Sequence, residues 1–238
     1  MIHRISSLLA LRSNVVASLL ALAVAGCTAP VGHKPHSLVA TNLPFASEIN
    51  AFIQADQTNP PPRGATLFIG SSSIRLWKTL AHDFPQHRVI NRGFGGSQII
   101  HSVDYADRIV FPYRPKRIVI YAGGNDINAG KSPQQVFADF RAFVAKVHAK
   151  LPKTEIAYIS IAPNPARWSQ VNKVSEANAL IADFANREPQ VSFINVFPHM
   201  LGEDGLPRPE IFVADRLHMN AKGYEVWQKI VGDYLAQR

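Results

Sequence analysis

The chain predicts a three-layer α/β/α sandwich around a central parallel sheet of five strands. Two observations predict it. Five short apolar runs alternate with helical patterns along the chain, and most of those runs are continuous, as strands buried on both faces require. The connections are short, and strands that alternate with helices are joined by crossovers that make the sheet parallel. At 238 residues, 47% hydrophobic and 18% charged, the composition supplies one sizeable core.

The elements follow in order. Residues 1–26, "MIHRISSLLALRSNVVASLLALAVAG", have the layout of an export signal. Arg4 and Arg12 provide the positive start, Val15 to Ala25 is apolar apart from Ser18, and Ala25 and Gly26 are small. That apolar run is too short to span a bilayer comfortably. Cys27, the only cysteine of the chain, follows directly, so no internal disulfide is available. "VAGC" resembles the lipobox of bacterial lipoproteins, and the resemblance implies a lipid-bearing Cys27, a bacterial cell-envelope location and a membrane contact through that anchor. A plain secretory signal with an incidental cysteine is the alternative. Residues 27–43 read as the acylated cysteine and a linker, and the folded domain is expected over 44–238.

Phe45, Ile49, Phe52 and Ile53 recur at helical spacing until "NPPPRG" breaks the pattern. The strand candidates are "ATLFIG" (65–70), "RVINRG" (88–93), "RIVIYAG" (117–123), "EIAYISIA" (155–162) and "VSFINVF" (191–197). Between the third and fourth lies the clearest helix. Ser132 and Gln135 form a capping box around Pro133, and Val136, Phe140, Phe143, Val144 and Val147 make one apolar stripe. The last helix starts near Asn220 and is expected to bury Val226, Trp227, Ile230, Val231, Tyr234 and Leu235.

In parallel sheets of this kind, ligands meet the carboxyl ends of the strands. Polar and glycine-rich clusters follow the strand candidates: Ser71–Ser73, "GFGGSQ" (93–98), "GGNDI" (123–127), "PNPARW" (163–168) and "DRLHMN" (215–220). Stability alone does not require that concentration on one edge. Each cluster also has a bland account. Serines cap helices, although three exceed that need, and a serine at a helix start sits near free N–H groups that favour an oxyanion. "GFGGSQ" is not a dinucleotide fingerprint, because Gln98 stands where the third glycine belongs. It is a turn or a backbone approach to a ligand. "GGND" suits a turn, and its asparagine amide suits an oxyanion donor. Asp215 and His218, three apart, share a face on one helical turn, where a carboxylate fixes the imidazole tautomer. A surface Asp–His pair is the alternative.

Taken in order, "FIGSSSI", "NRGFGGS", "YAGGNDI" and "DRLHMN" resemble the four blocks of the SGNH hydrolases, the GDSL-type esterases and lipases, over residues 65 to 237. The resemblance implies a flavodoxin-like SGNH hydrolase fold and a serine esterase. It places the nucleophile on Ser72, the oxyanion donors on Ser72, Gly96 and Asn125, and the remaining triad members on Asp215 and His218. Ser71 occupies the place of the family's aspartate, a departure that leaves the nucleophile in register. Ser71 and Ser73 are then expected to serve the turn and the helix cap. No metal and no cofactor is required. The α/β-hydrolase elbow is excluded, since Ile74 stands where its second glycine would be.

The expected substrate is a small-molecule or glycan acyl ester, with short acyl or acetyl groups favoured by the absence of a large lid insertion. Lysophospholipid and thioester fit the same machinery. A non-catalytic anion-binding protein of flavodoxin-like fold is the alternative, and Asp215 with His218 argues against it. Arg167 and Trp168 are candidates for substrate contact, or else a packed tryptophan with an arginine laid over it. The stretch 198–214 is longer than a usual connection and either shapes the pocket or is mobile. The net charge of +8 is scattered without a basic cluster, so no nucleic-acid partner is expected. Oligomeric state is not legible in the sequence.

Overall fold

Five strands form one all-parallel sheet in the order β2-β1-β3-β4-β5 in a computed structural model that describes residues 37–237. The expected export signal over residues 1–26 and the expected acylated Cys27 lie outside the described residues. The strands are β1 Thr66–Gly70, β2 Val89–Gly93, β3 Arg117–Tyr121, β4 Glu155–Ile159 and β5 Val191–Ile194. All five fall within the predicted runs, although the outer strands β2 and β5 are only partly buried. β4 and β5 end sooner than their apolar runs, because the Ser160 hydroxyl accepts the N–H groups of Val196 and Phe197 and takes over from the ladder.

The helices are α1 Ala46–Thr58, α2 Ser72–Arg75, α3 Leu80–Asp83, α4 Ile99–Ile109, α5 Gly124–Asn128, α6 Pro133–Lys150, α7 Val171–Ala185 and α8 Ala221–Ala236. The capping box of α6 forms as expected. Gln135 N–H donates to Ser132 Oγ at 3.2 Å, and Ser132 N–H donates to Gln135 Oε1 at 2.8 Å. Asn220 caps α8 by accepting Gly223 N–H at 3.3 Å. Its buried stripe is narrower than the sequence suggests: Trp227, Val231 and Leu235 are buried, whereas Val226, Ile230 and Tyr234 pack only partly. No helix among the described residues is long and apolar enough to cross a membrane.

Alternate residues of each strand feed opposite faces of the sheet. Leu67, Ile69, Ile118 and Ile120 join Ile49 of α1, Ile109 of α4, Phe140 and Phe143 of α6, and Ile181 of α7 in one core. Phe68, Val119, Ala157 and Ile159 join Trp77, Trp227, Val231 and Leu235 in the other. Each fully buried side chain of this size contributes about 1.5–3 kcal/mol relative to exposure. Two cores explain why the inner strands β1, β3 and β4 read as largely unbroken apolar runs. The 198–214 stretch is anchored in the second core through Met200, Ile211 and Phe212.

Candidate active site

β1 is flanked by β2 on one side and β3 on the other, so successive crossovers diverge there. In such sheets the diverging connections leave a crevice beyond the strand ends. The register pairs Gly70 with Gly93 and with Tyr121, which brings the segments after β1, β2 and β3 to one edge. Two of the glycines are dictated by contact. A methyl on Gly70, at φ +129°, would lie 1.9 Å from the Tyr121 carbonyl oxygen. One on Gly93 would lie 2.2 Å from Arg75 N, so no larger residue lets α2 approach β2.

This close packing places Ser72 at the first position of α2, half-buried beside the crevice. Ser71 precedes it at the cap position, but its side chain makes no capping bond, contrary to expectation. Ser71 is instead buried, with its N–H donating to Tyr121 O at 2.9 Å. The Ser73 carbonyl accepts Tyr224 Oη–H at 2.9 Å.

The partner of Ser72 comes from the far end of the chain. Ser72 Oγ lies 2.9 Å from His218 Nε2, and His218 Nδ1 lies 2.6 Å from Asp215 Oδ2. Asp215 and His218 are not on a helical turn, as the spacing suggests, but on an irregular turn in which Arg216 takes φ 59°. Asp215 Oδ1 holds that turn by accepting the N–H groups of Leu217 and His218, both at 2.9 Å. The His218 N–H, followed by its imidazole, draws the Asp215 pKa down to about 2. The carboxylate therefore stays charged at any pH above that value, and its bond to Nδ1 selects the tautomer whose Nε2 lone pair faces Ser72.

Asn125, at the start of α5, faces the opposite side of the crevice. Its Nδ2 donates to Ser97 O at 3.1 Å, and a methyl on Gly96 would lie 3.7 Å from Nδ2. The N–H groups of Ser72 and Gly96 donate to no backbone acceptor among the described residues. Of the expected residues, Ser72, Asn125 and His218 line one cleft, Asp215 stands behind His218, and Gly96 lies beside Asn125. Arg167, Tyr121, Met200, Phe212 and Trp227 also line the cleft, and its volume is about 30 Å³. That is room for roughly two waters at about 10–15 Å³ each. Trp168 does not line it; the ring borders an adjacent depression with Ile161, Val174 and Phe197. Arg167 borders that depression as well, so both expected contact residues meet there, with only the arginine also in the cleft.

Three supporting residues, Asn91, Glu48 and Asp126, hold the loops around the cleft, and of these only Asn91, the asparagine of the second resembling block, is marked in the sequence. Asn91 accepts Gly93 N–H at 2.9 Å and donates to Ile74 O at 2.7 Å, which pins α2 to β2. Glu48 of α1 accepts Gly95 N–H at 2.9 Å. Asp126, fully buried, accepts Ile99 N–H and the Lys131 ammonium, the latter at 2.9 Å, and so ties the Gly96 loop to α5. Burial pushes the Asp126 carboxyl up, against the pull of Lys131. Replacing it with alanine strands Ile99 N–H in the interior and removes one of the two partners of Lys131, the other being Asp139. The expected loss is about 2–3 kcal/mol of stability, read as a lower urea midpoint at unchanged slope.

A family model of the GDSL-like lipase/acylhydrolases matches residues 64–226. None of the curated proteins matches the chain. Three solved structures resemble it. A Streptococcus pneumonia protein assigned as a platelet activating factor superposes with a TM-score of 0.71 at 23% identity, covering 80% of this chain and 92% of its own. A GDSL-like lipase from Bacteroides thetaiotaomicron gives 0.67 at 19%, covering 79% and 97%. A mutant of a Geobacillus acetyl-xylooligosaccharide esterase gives 0.58 at 14%, covering 71% and 93%. At these identities the likeness speaks for the fold, whereas the family match takes in every block from Ser72 to His218, and on that ground the chain belongs to the GDSL-like lipase/acylhydrolase family of hydrolases.

Proposed function

We propose that the protein is a serine esterase that removes short acyl groups, acetyl above all, from small-molecule or glycan esters. The observation that carries this reading is the unbroken relay from Asp215 through His218 to Ser72, with spacings of 2.6 and 2.9 Å. His218 Nε2 takes the Ser72 proton as Oγ attacks the ester carbonyl. The oxyanion accepts from the N–H groups of Ser72 and Gly96 and from Asn125 Nδ2. Collapse expels the alcohol, which leaves with the proton from Nε2. A water then gives its proton to Nε2 and attacks the acyl-serine; the acid departs and Ser72 regains its proton. Asp215 keeps the imidazole oriented and stabilises its cationic form throughout.

The preference for acetyl rests on the small volume of the cleft, about 30 Å³. The fold likeness to an acetyl-xylooligosaccharide esterase agrees with it. Rates on p-nitrophenyl acetate, butyrate and decanoate test the reading. We expect kcat/KM to fall at least about tenfold from acetate to decanoate. Equal or rising rates with chain length favour a lysophospholipid or long-chain thioester substrate, and inert wild-type protein favours the anion-binding alternative.

We further propose that Cys27 is acylated and holds the enzyme on the bacterial cell envelope. Several acyl chains suffice, since each buried methylene contributes about 0.8 kcal/mol. Cys27→Ser is expected to move the protein from the membrane pellet to the soluble fraction. Unchanged pelleting counts against the tether.

A further inference from the structure

Arg167 is bonded in a way that substrate contact alone does not explain. Its Nη1 donates to Asn125 Oδ1 at 2.9 Å and to Gly124 O at 3.2 Å. A guanidinium offers only donors, so the Asn125 amide oxygen is obliged to face it. The amide nitrogen then points the other way. One of its hydrogens goes to Ser97 O at 3.1 Å, and the other is left for the cleft beside Gly96.

The arginine is itself held. Asn164 Oδ1 accepts Arg167 N–H at 3.0 Å, and the prolines at 163 and 165 limit the segment around Asn164. The neighbouring Ala166 N–H donates to Arg216 O at 3.1 Å, inside the turn that carries Asp215 and His218. One loop therefore grips both sides of the cleft, the amide side through Arg167 and the imidazole side through Ala166. No carboxylate among the described residues acts on Arg167; burial lowers its pKa and only Tyr121 opposes. An ion pair is not what this half-buried cation serves.

We propose that Arg167 is a positioning residue for ester hydrolysis, which through Asn125 Oδ1 locks the amide with Nδ2 toward the oxyanion. The proposal rests on the esterase reading and on Asn125 as an oxyanion donor. Without the guanidinium the amide is free to turn over, and an oxygen facing the oxyanion repels what the nitrogen would stabilise.

The test is a double-mutant cycle on p-nitrophenyl acetate, using full-length variants whose thermal unfolding is monitored. Arg167→Met is expected to lower kcat about 10–100-fold with KM changed less than about threefold, and Asn125→Ala to lower kcat about 10²–10³-fold. The combined Asn125→Ala/Arg167→Met protein should match Asn125→Ala within about twofold, because Arg167 acts through the missing amide. Arg167→Lys keeps a donor and should retain more activity than Arg167→Met. A full Arg167→Met penalty on top of Asn125→Ala, wild-type kcat in Arg167→Met, or no advantage of lysine over methionine overturns the proposal. Ser72→Ala in the same series separates the two levels. Turnover surviving in Ser72→Ala ends the esterase reading and this proposal with it. An inactive Ser72→Ala beside an undiminished Arg167→Met ends only the role of Arg167.

Discussion

Ser72→Ala is expected to lower kcat on p-nitrophenyl acetate by about 10⁴–10⁶-fold without disturbing the fold. The side chain is half-buried at a crevice rim, and its hydroxyl is the atom within 2.9 Å of His218 Nε2, so its loss leaves no void in either core. His218→Ala should cost nearly as much, and combining the two should add little, because hydroxyl and imidazole act as one unit. Asp215 stands apart. Its side chain is 47% exposed, so water partly replaces its field, and Asp215→Asn should fall short of the about 10⁴-fold seen where such a carboxylate is sealed in protein. Steady-state kinetics with matched circular-dichroism spectra checks all three. Additive losses in the Ser72/His218 pair would contradict a shared proton relay.

Gly70→Ala is the second large effect, and it falls on the fold as much as on activity. Gly70 ends β1 at φ +129° with its Cα face against the Tyr121 carbonyl, the same oxygen that accepts Ser71 N–H. A methyl 1.9 Å from that oxygen cannot be absorbed by a rotamer change, because the obstacle is the backbone of β3, a central strand. Either β1 separates from β3 or the turn into α2 is rebuilt, and both move Ser72. We expect a loss of more than about 3 kcal/mol, seen as a lowered thermal midpoint or insoluble expression, and no turnover. Gly64, at φ 71° with nothing within 4 Å of its would-be methyl, is the control. Gly64→Ala meets only local backbone strain and should cost far less.

The parts legible in the sequence are those written in local patterns. Unbroken apolar runs mark strands covered on both sides, and "LFI" divides as such a run must, with Phe68 in one core and Leu67 and Ile69 in the other. Ser132 and Gln135 mark a helix start because both capping bonds lie within three residues. The blocks around Ser72, Gly96, Asn125 and His218 are short segments whose order survives in the chain even though Ser72 and His218 are 146 residues apart. What was not legible depends on partners remote in sequence and unmarked by any period. Glu48 meets Gly95 across 47 residues, and Asp126 meets Ile99 across 27. Neither spacing repeats anything. A three-residue separation such as Asp215–His218 fits a helix and a side-chain-closed turn alike, and the left-handed Arg216 decides for the turn. Arg167 and Trp168 are neighbours in the chain and share one depression, yet only Arg167 also reaches the cleft, where the segment departs from helical geometry.

Covalent labelling tests the central claim most directly. A fluorophosphonate probe reacts with a serine only when an adjacent base takes its proton and the phosphonyl oxygen finds the oxyanion donors. Intact-mass and peptide spectrometry of the labelled protein should show a single adduct, on Ser72, absent from Ser72→Ala and slowed by orders of magnitude in His218→Ala. An unlabelled wild-type protein, an adduct on another residue, or labelling indifferent to His218 would contradict the account.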